Sequence, residues 1–159
     1  MAKLVDVIAY IIKRYPSSLA DELSNARLTK LVYLSDWKNC LTNDRPISSI
    51  NWYFDNHGPY VHDVIDTARE NPDVFCIKDT SNYYGGKKRV ISLRDEAYDP
   101  KLSKREMKAI DDIIEITRKM YWSDFIGLVY GTFPITSSER YSSLDLKAKA
   151  REYLKSKEV

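Results

Sequence analysis

The two histidines are the first residues to consider, because histidine is both a common metal ligand and a common general base. His57 and His62 lie five positions apart on either side of a Gly-Pro pair. A metal site there would recruit Asp55, Asp63 or Cys76 as further ligands. However, rings at positions i and i+5 diverge on a helix, and the spacing matches no established metal-binding pattern. We therefore predict no metal site.

The sequence also lacks a placed nucleophile. Cys40 and Cys76 lie outside any glycine-rich elbow and outside any motif that would activate a thiol. The pair Gly85-Gly86 is not followed by the Lys-Ser or Lys-Thr of a phosphate-binding loop, and the paired carboxylates fit solvated helix faces. We predict no catalytic residue and no cofactor. Two cysteines in 159 residues indicate free thiols and a cytoplasmic protein.

A segment of cations and aromatics at residues 83–89 points to binding rather than catalysis. A possible nucleic-acid contact would use Tyr83, Tyr84, Lys87, Lys88 and Arg89. Such cations would lie on phosphate, with the tyrosines against sugar or base. The alternative is an edge hairpin kept soluble by its charge. A net charge of only +2, from 25 basic and 23 acidic residues, favours that alternative.

The chain is organised around residues 28–37, which read LTKLVYLSDW. Their apolar positions recur at the spacing of an amphipathic helix, and Lys30 and Tyr33 interrupt the apolar face. Ser24 is predicted to cap this helix, which runs to about residue 41. The 12 tyrosines and 3 tryptophans of the chain favour a binding protein over an enzyme, since these side chains are typical of interfaces.

Five further helices are predicted from apolar periodicity and capping signals. They cover about residues 2–14, stopped by Pro16; 59–70, with Pro59 in the first turn; 103–121, opened by a Ser103/Glu106 capping box; a short helix capped by Ser123 that ends before Pro134; and 143–156.

Residues 47–54, which include Trp52, are predicted to be extended, and residues 74–77 and 89–93 are predicted to form a β-hairpin. The sequence does not decide which residues of the two strands pair. A two-residue Gly85-Gly86 turn groups Val74 and Cys76 with Ile91 and Leu93, whereas an odd-length loop groups Phe75 and Ile77 with them.

The predicted fold class is α+β and predominantly α-helical, with about six helices around one core and a small antiparallel β-hairpin or sheet. We expect a single domain over residues 1–159. No apolar stretch approaches the roughly 20 residues that a membrane span needs, so no membrane partner is expected.

The order of these motifs resembles a known family. The sequence is similar to the Panacea domain in five features that follow one another in the same order. They are Lys30-Leu31-Val32-Tyr33, an aromatic extended segment ending in Gly58-Pro59, a hairpin, a long helix opened at Leu102, and Leu128-Val129-Tyr130 before Phe133-Pro134. This domain, also called SocA-like, is found in antitoxins and phage-associated proteins. The resemblance spans about residues 2–135, followed by the C-terminal helix at about 143–156.

The resemblance implies a mostly helical antitoxin that binds a toxin protein directly or acts as an adaptor presenting the toxin to a protease. The partner would be a cognate toxin encoded by an adjacent gene. The family signature, and the possible partner contacts, would be Lys30, Tyr33, Trp52, His57, Gly58 and Pro59. The chain departs from the pattern at Tyr130, where members often have a histidine.

Two roles remain open for Lys30 and Tyr33. They could be the polar part of a structure that fixes the Gly58-Pro59 turn against the second helix, or they could contact the toxin. Toxin neutralisation is the expected function. The alternatives are a winged-helix-like DNA-binding regulator that uses the 83–89 hairpin tip, and an enzyme with a site around Lys30, Tyr33, Asp36 and His57.

Overall fold

A computed structural model describes residues 1–81 and 84–158. Its α-helices are α1 (Leu4–Arg14), α2 (Asn25–Asn43), α3 (Asp63–Glu70), α4 (Lys104–Thr117), α5 (Trp122–Tyr130), α6 (Phe133–Thr136) and α7 (Leu146–Ser156), with a 3-10 helix at Ser17–Glu22. Its strands are β1 (Trp52–Asp55), β2 (Gly58–Tyr60), β3 (Phe75–Ser81), β4 (Lys87–Leu93) and β5 (Ser143–Leu144). The predicted class, α+β and predominantly helical, is confirmed. Among the described residues, no helix combines the length and apolar character needed to cross a membrane.

Helix α2 lies at the centre of the fold. Thirteen of its 19 residues are buried, including every residue from Arg27 to Trp37. It packs against α1, α3, α4 and α7, and against β2 and β4. The prediction of an amphipathic helix is therefore wrong in one respect, because partners enclose α2 on all sides and bury its polar residues too.

The capping predictions for the two longest described helices are confirmed. The Ser24 side chain accepts a hydrogen bond from the Arg27 N–H at 3.1 Å. Ser103 and Glu106 form a complete capping box at the start of α4. Helix α1 ends at Arg14, as predicted from the proline two residues later.

Three other helix boundaries differ from the prediction. Helix α4 ends at Thr117 rather than near residue 121. Ser123 is not a cap, because α5 begins at Trp122 with Tyr121 in extended conformation before it. Helix α7 begins at Leu146 with Asp145 as its cap, since the preceding residues 143–144 pair with β1 as β5.

The prediction that Pro59 begins a helix is wrong. Gly58, with φ of +90°, follows the two-residue turn Asn56-His57 and sends the chain back along β1, where Pro59 pairs with Phe54. Strand β2 is an edge strand in the order β2-β1-β5, a position at which proline is tolerated. The next helix, α3, begins only at Asp63.

Strands β3 and β4 form an antiparallel hairpin that is longer than predicted. Phe75 pairs with Leu93 and Ile77 with Ile91, which is the register expected for an odd-length loop. On its other side, β4 meets the chain before α2: the Ile91 N–H donates to the Leu23 carbonyl at 3.0 Å. This contact fixes the hairpin beside the N-terminus of α2.

Candidate functional site

The first candidate is a cluster around Tyr33, in the middle of α2. The Tyr33 side chain is fully buried, and its ring packs edge-on against Trp52 with the centroids 5.4 Å apart. Its hydroxyl bonds Thr132 Oγ1 at 2.8 Å. Burial raises the pKa of the Tyr33 hydroxyl above its ordinary value, so the side chain is a neutral hydrogen-bonding group at physiological pH.

Gly58 brings the β1–β2 hairpin against the end of α5. A Cβ atom placed at Gly58 would lie 3.3 Å from Tyr130 Cε1. The Tyr130 ring therefore lies against Gly58. Gly58 and Pro59 are both buried.

Lys30 is the other polar residue of this region on α2, and it is 3% exposed. Its ammonium lies 5.9 Å from the centre of the Tyr60 ring, a cation–π arrangement. Burial lowers the pKa of the Lys30 ammonium below its ordinary value. Within the described residues, no carboxylate lies within 4.0 Å of that ammonium.

His57 differs from the other five predicted signature residues because it is exposed, in the turn between β1 and β2. The neighbouring Asn56 accepts a hydrogen bond from the Tyr141 hydroxyl. The structure thus brings Tyr33 and Trp52 together, places Gly58 against Tyr130, and leaves His57 at the surface.

The second candidate is an open groove of about 990 Å³ between the β3–β4 hairpin and the N-termini of α2 and α5. One wall carries three of the predicted nucleic-acid contacts, Lys87, Lys88 and Arg89, and Tyr84 also lines the groove. Tyr83, which the sequence analysis also named, lies outside the described residues. Tyr121 and Trp122, at the start of α5, line the groove too.

The groove is aromatic at its rim. Tyr84 is 93% exposed, Tyr121 is 82% exposed and Trp122 is 47% exposed. Exposure of this kind in three large aromatic side chains around one concavity is typical of an interaction surface. Sequence reasoning named Tyr84 but missed Tyr121 and Trp122 as a pair, although two consecutive aromatics before the short helix were a visible signal.

Arg27 joins the groove to the core. It is buried, and its guanidinium lies 4.6 Å from the centre of the Phe125 ring and 5.7 Å from that of Trp122. It also donates to the Tyr15 hydroxyl and the Met120 carbonyl, both at 3.4 Å. Arg27 thereby connects α2 to the start of α5, the element that carries the exposed aromatics.

The charge of the groove is positive overall. Its lining includes Arg27, Lys87, Lys88 and Arg89 against Glu22 and Asp79. Arg89 lies 3.7 Å from Asp79, with both side chains largely exposed, so this pair contributes little to stability. The groove therefore favours an anionic binding partner.

Comparison with known families shows which family the chain belongs to. The model of the family described as antitoxin SocA-like, Panacea domain, matches residues 28–132, about two thirds of the chain. The chain belongs to the SocA-like Panacea family. No curated protein and no solved structure matches it.

The first and last parts of the matched segment are in contact in the fold. It begins at Leu28 on α2 and ends at Thr132, the residue that the Tyr33 hydroxyl contacts. All six residues predicted as the family signature lie within it, as do the β3–β4 hairpin and the exposed Tyr121-Trp122 pair. The Panacea segment therefore includes the buried cluster and most of the groove.

A second buried polar residue of the Panacea segment, Asp36, organises the loop before β1. Its Oδ1 accepts from the Ile47 and Ser48 N–H groups, each at 2.9 Å, and its Oδ2 accepts from Ser48 Oγ at 2.5 Å and Trp52 Nε1 at 2.9 Å. Burial outweighs these hydrogen bonds and raises the pKa of the Asp36 carboxyl to about 6. An acidic residue one turn from Tyr33 was a signal of this role, but its donors come from residues 11 to 16 positions away.

The enzyme alternative required Asp36 to act with Lys30, Tyr33 and His57. Asp36 is instead bonded to the Ile47–Ser48 segment and Trp52, and His57 lies at the exposed turn. Among the described residues, no group of three or more histidine, cysteine or acidic side chains could hold a metal ion. Antitoxin-like proteins of this family are generally not enzymes.

Proposed function

We propose that this Panacea protein neutralises a partner toxin in the cytoplasm by binding it directly, and that the groove is the contact surface. The observation that supports the proposal is the exposure of Tyr84, Tyr121 and Trp122 around a groove lined with cations. Aromatic and arginine side chains supply most of the binding energy at protein interfaces. The cognate toxin would be the product of an adjacent gene.

In this proposal the signature cluster has a supporting role. Lys30, Tyr33, Trp52, Gly58 and Pro59 are buried, so a partner would reach them only after the fold opened. Tyr33, Trp52 and Gly58 fix the β1–β2 hairpin against α2 and α5. Only His57 offers an exposed side chain for direct contact.

The test is co-expression of the adjacent gene product with this chain, followed by growth measurement and co-purification. The double variant Tyr84→Ala/Tyr121→Ala removes two exposed aromatics and should lose rescue and complex formation. A matched control, Ile116→Ala/Leu154→Ala, removes two exposed apolar side chains elsewhere and should behave like the wild type. A neighbour that is not toxic, or a toxin that forms no complex with the wild-type chain, contradicts the proposal.

Direct neutralisation and adaptor activity predict different toxin lifetimes. If the chain only binds the toxin, toxin abundance after translation is stopped should be unchanged or higher in its presence. If the chain presents the toxin to a protease, toxin abundance should fall faster. An immunoblot time course, with and without this chain, separates the two mechanisms.

DNA binding is the second candidate, and the cations at the hairpin tip support it. Lys87 and Arg89 are exposed near the tip of β4, where they could lie on phosphate. Binding of this kind weakens steeply with salt. In a DNA shift assay, affinity that ignores salt and survives Lys87→Ala/Lys88→Ala/Arg89→Ala contradicts this second candidate.

A further inference from the structure

The outer edge of β4 is only partly covered. The Ile91 N–H points away from β3, because it donates to the Leu23 carbonyl at 3.0 Å. Ser24 continues this contact as an isolated bridge to Val90. The covering segment then enters α2 at Asn25, so it does not pair with the part of β4 that lies nearer the hairpin tip.

The backbone directions along β4 follow from its register. In an antiparallel pair, successive residues point their N–H groups alternately toward and away from the partner strand. Since the N–H group of Ile91 points away from β3, the N–H groups of Arg89 and Lys87 also point away from β3. These N–H groups therefore point to the same edge as that at which Leu23 and Ser24 meet β4, and Ser24 lines the groove together with Lys87 and Arg89. In the described part of the chain no backbone carbonyl accepts from either N–H.

An exposed strand edge beside a groove is a template for an added strand. The groove is about 990 Å³ in volume, at the upper end of the range of ordinary ligand pockets. Its lining includes the first turn of α2 and the aromatic side chains of Tyr121 and Trp122. An extended segment on β4 would direct alternate side chains toward these aromatic side chains.

The charges define the chemistry of the occupant. Lys87 and Lys88 have no carboxylate within 4.0 Å in the described ranges, and Arg89 shares a long, exposed contact with Asp79. An extended segment with acidic side chains would complement them, and apolar side chains at its alternate positions would meet the aromatic side chains of the groove.

We infer that the groove receives an extended, acidic segment of the partner toxin, which adds as a strand to the edge of β4 at Lys87 and Arg89. The inference rests on the proposed function and specifies the form of the contact. The backbone of β4 supplies hydrogen bonds, the lysines supply charge complementarity, and Tyr121 and Trp122 receive apolar side chains.

The pairing of Arg89 with Asp79 provides a matched pair of variants. Arg89→Pro removes an N–H on the groove edge of the hairpin, and Asp79→Pro removes one on the opposite edge. Neither change removes a hydrogen bond of the β3–β4 ladder, and both remove the Arg89–Asp79 ion pair. We expect Arg89→Pro to weaken binding of the purified adjacent-gene toxin roughly tenfold. Asp79→Pro should bind no more weakly than the wild type, since it keeps the groove-edge N–H groups and removes an acidic side chain from the groove lining.

A further variant separates the backbone from the side chain. Arg89→Ala keeps the N–H and should bind more tightly than Arg89→Pro. Equal binding by Arg89→Pro and Asp79→Pro, with both variants folded by circular dichroism, overturns the strand-addition inference while leaving toxin neutralisation intact. If the wild-type chain does not rescue growth from the toxin, the proposed function itself is wrong and the inference falls with it.

Amide exchange in the wild-type protein gives an answer that does not depend on proline variants. NMR-detected exchange should show the Lys87 and Arg89 amides protected when toxin is added, with the Ile77 amide, on the opposite edge of the hairpin and outside the groove lining, unchanged. Unchanged exchange at Lys87 and Arg89 in a saturated toxin complex overturns the inference. Protection by duplex DNA alone, lost at high salt, would assign the groove to nucleic acid instead and also overturn it.

Discussion

The Tyr33 hydroxyl and Thr132 Oγ1 lie 2.8 Å apart and join the centre of α2 to the cap of α6 across 99 positions of sequence. Thr132 Oγ1 donates to the Val129 carbonyl at 2.7 Å. Because a hydroxyl has one proton to donate, Tyr33 is the donor in the pair. This hydrogen bond joins the first helix of the Panacea segment to its last residue.

Tyr33→Phe should lower the free energy of unfolding by about 1 kcal/mol, since it removes the hydrogen bond that the buried Tyr33 hydroxyl makes to the half-buried Thr132. Urea denaturation of the wild type and the variant measures the change. Tyr121→Phe, at an 82% exposed position, is the control and should be neutral. An unchanged free energy with lost toxin binding would instead assign Tyr33 to the interface.

Gly58→Ala should destabilise the protein more than Gly85→Ala. Both glycines have positive φ, +90° and +81°, so alanine at either position costs about 1 to 2 kcal/mol in backbone conformation. Only at Gly58 would the new Cβ meet a ring, that of Tyr130, whereas Gly85 has nothing within 4 Å. Thermal unfolding of the two variants tests this order.

A second glycine experiment isolates the ring contact. In a Tyr130→Leu background, the extra cost of Gly58→Ala relative to Gly85→Ala should shrink, because the shorter side chain no longer reaches the added methyl group. If the two glycine substitutions differ equally in both backgrounds, Tyr130 is not the cause of the difference.

Asp36 should give the protein a pH-dependent stability that Asp36→Asn lacks. The folded chain keeps the Asp36 proton up to about pH 6, whereas the ordinary value is 3.8. Between these values the folded state binds more protons, so the free energy of unfolding falls as the pH rises. The contribution of this group is about 3 kcal/mol at most.

Denaturant titrations of the wild type and Asp36→Asn at intervals from pH 3.5 to 7 measure this effect. The free-energy difference between wild type and variant should decrease across the window and level off above it. A difference that does not change with pH would show that the Asp36 carboxyl titrates alike in the folded and unfolded chain.

The two thiols should react at different rates. Cys40 is buried, and burial is the main reason that the pKa of its thiol is raised to about 12, so little thiolate is present and the reagent cannot reach it. Cys76 is partly exposed. A thiol-reactive dye should label Cys76 first in the native protein and both residues after unfolding, with Cys76→Ser losing the faster phase. Fast labelling that persists in Cys76→Ser contradicts this order.

Local chemistry made several features predictable from sequence. Ser24 and the Ser103/Glu106 box cap their helices as expected, because capping bonds join residues three positions apart. Pro16 ends α1 for a similarly local reason. The order of motifs that resembles the Panacea domain could also be recognised in the sequence, and the family match over residues 28–132 confirms this resemblance.

Tertiary contacts decided the rest. Gly58-Pro59 reads locally as the start of a helix, yet pairing with β1 makes it an edge strand. Lys30 reads as a break in an apolar face, yet packing on all sides of α2 buries it against Tyr60. Tyr84, Tyr121 and Trp122 line one groove although Tyr84 is far from the other two in the chain, and Arg27 connects α2 to the start of α5 beside it. The sequence by itself determined the capped starts of α2 and α4 and the family pattern that the chain carries. The starts of the helices after β2 and β5, the burial, the strand pairing and the groove depend on residues far apart in the chain, which only the fold brings together.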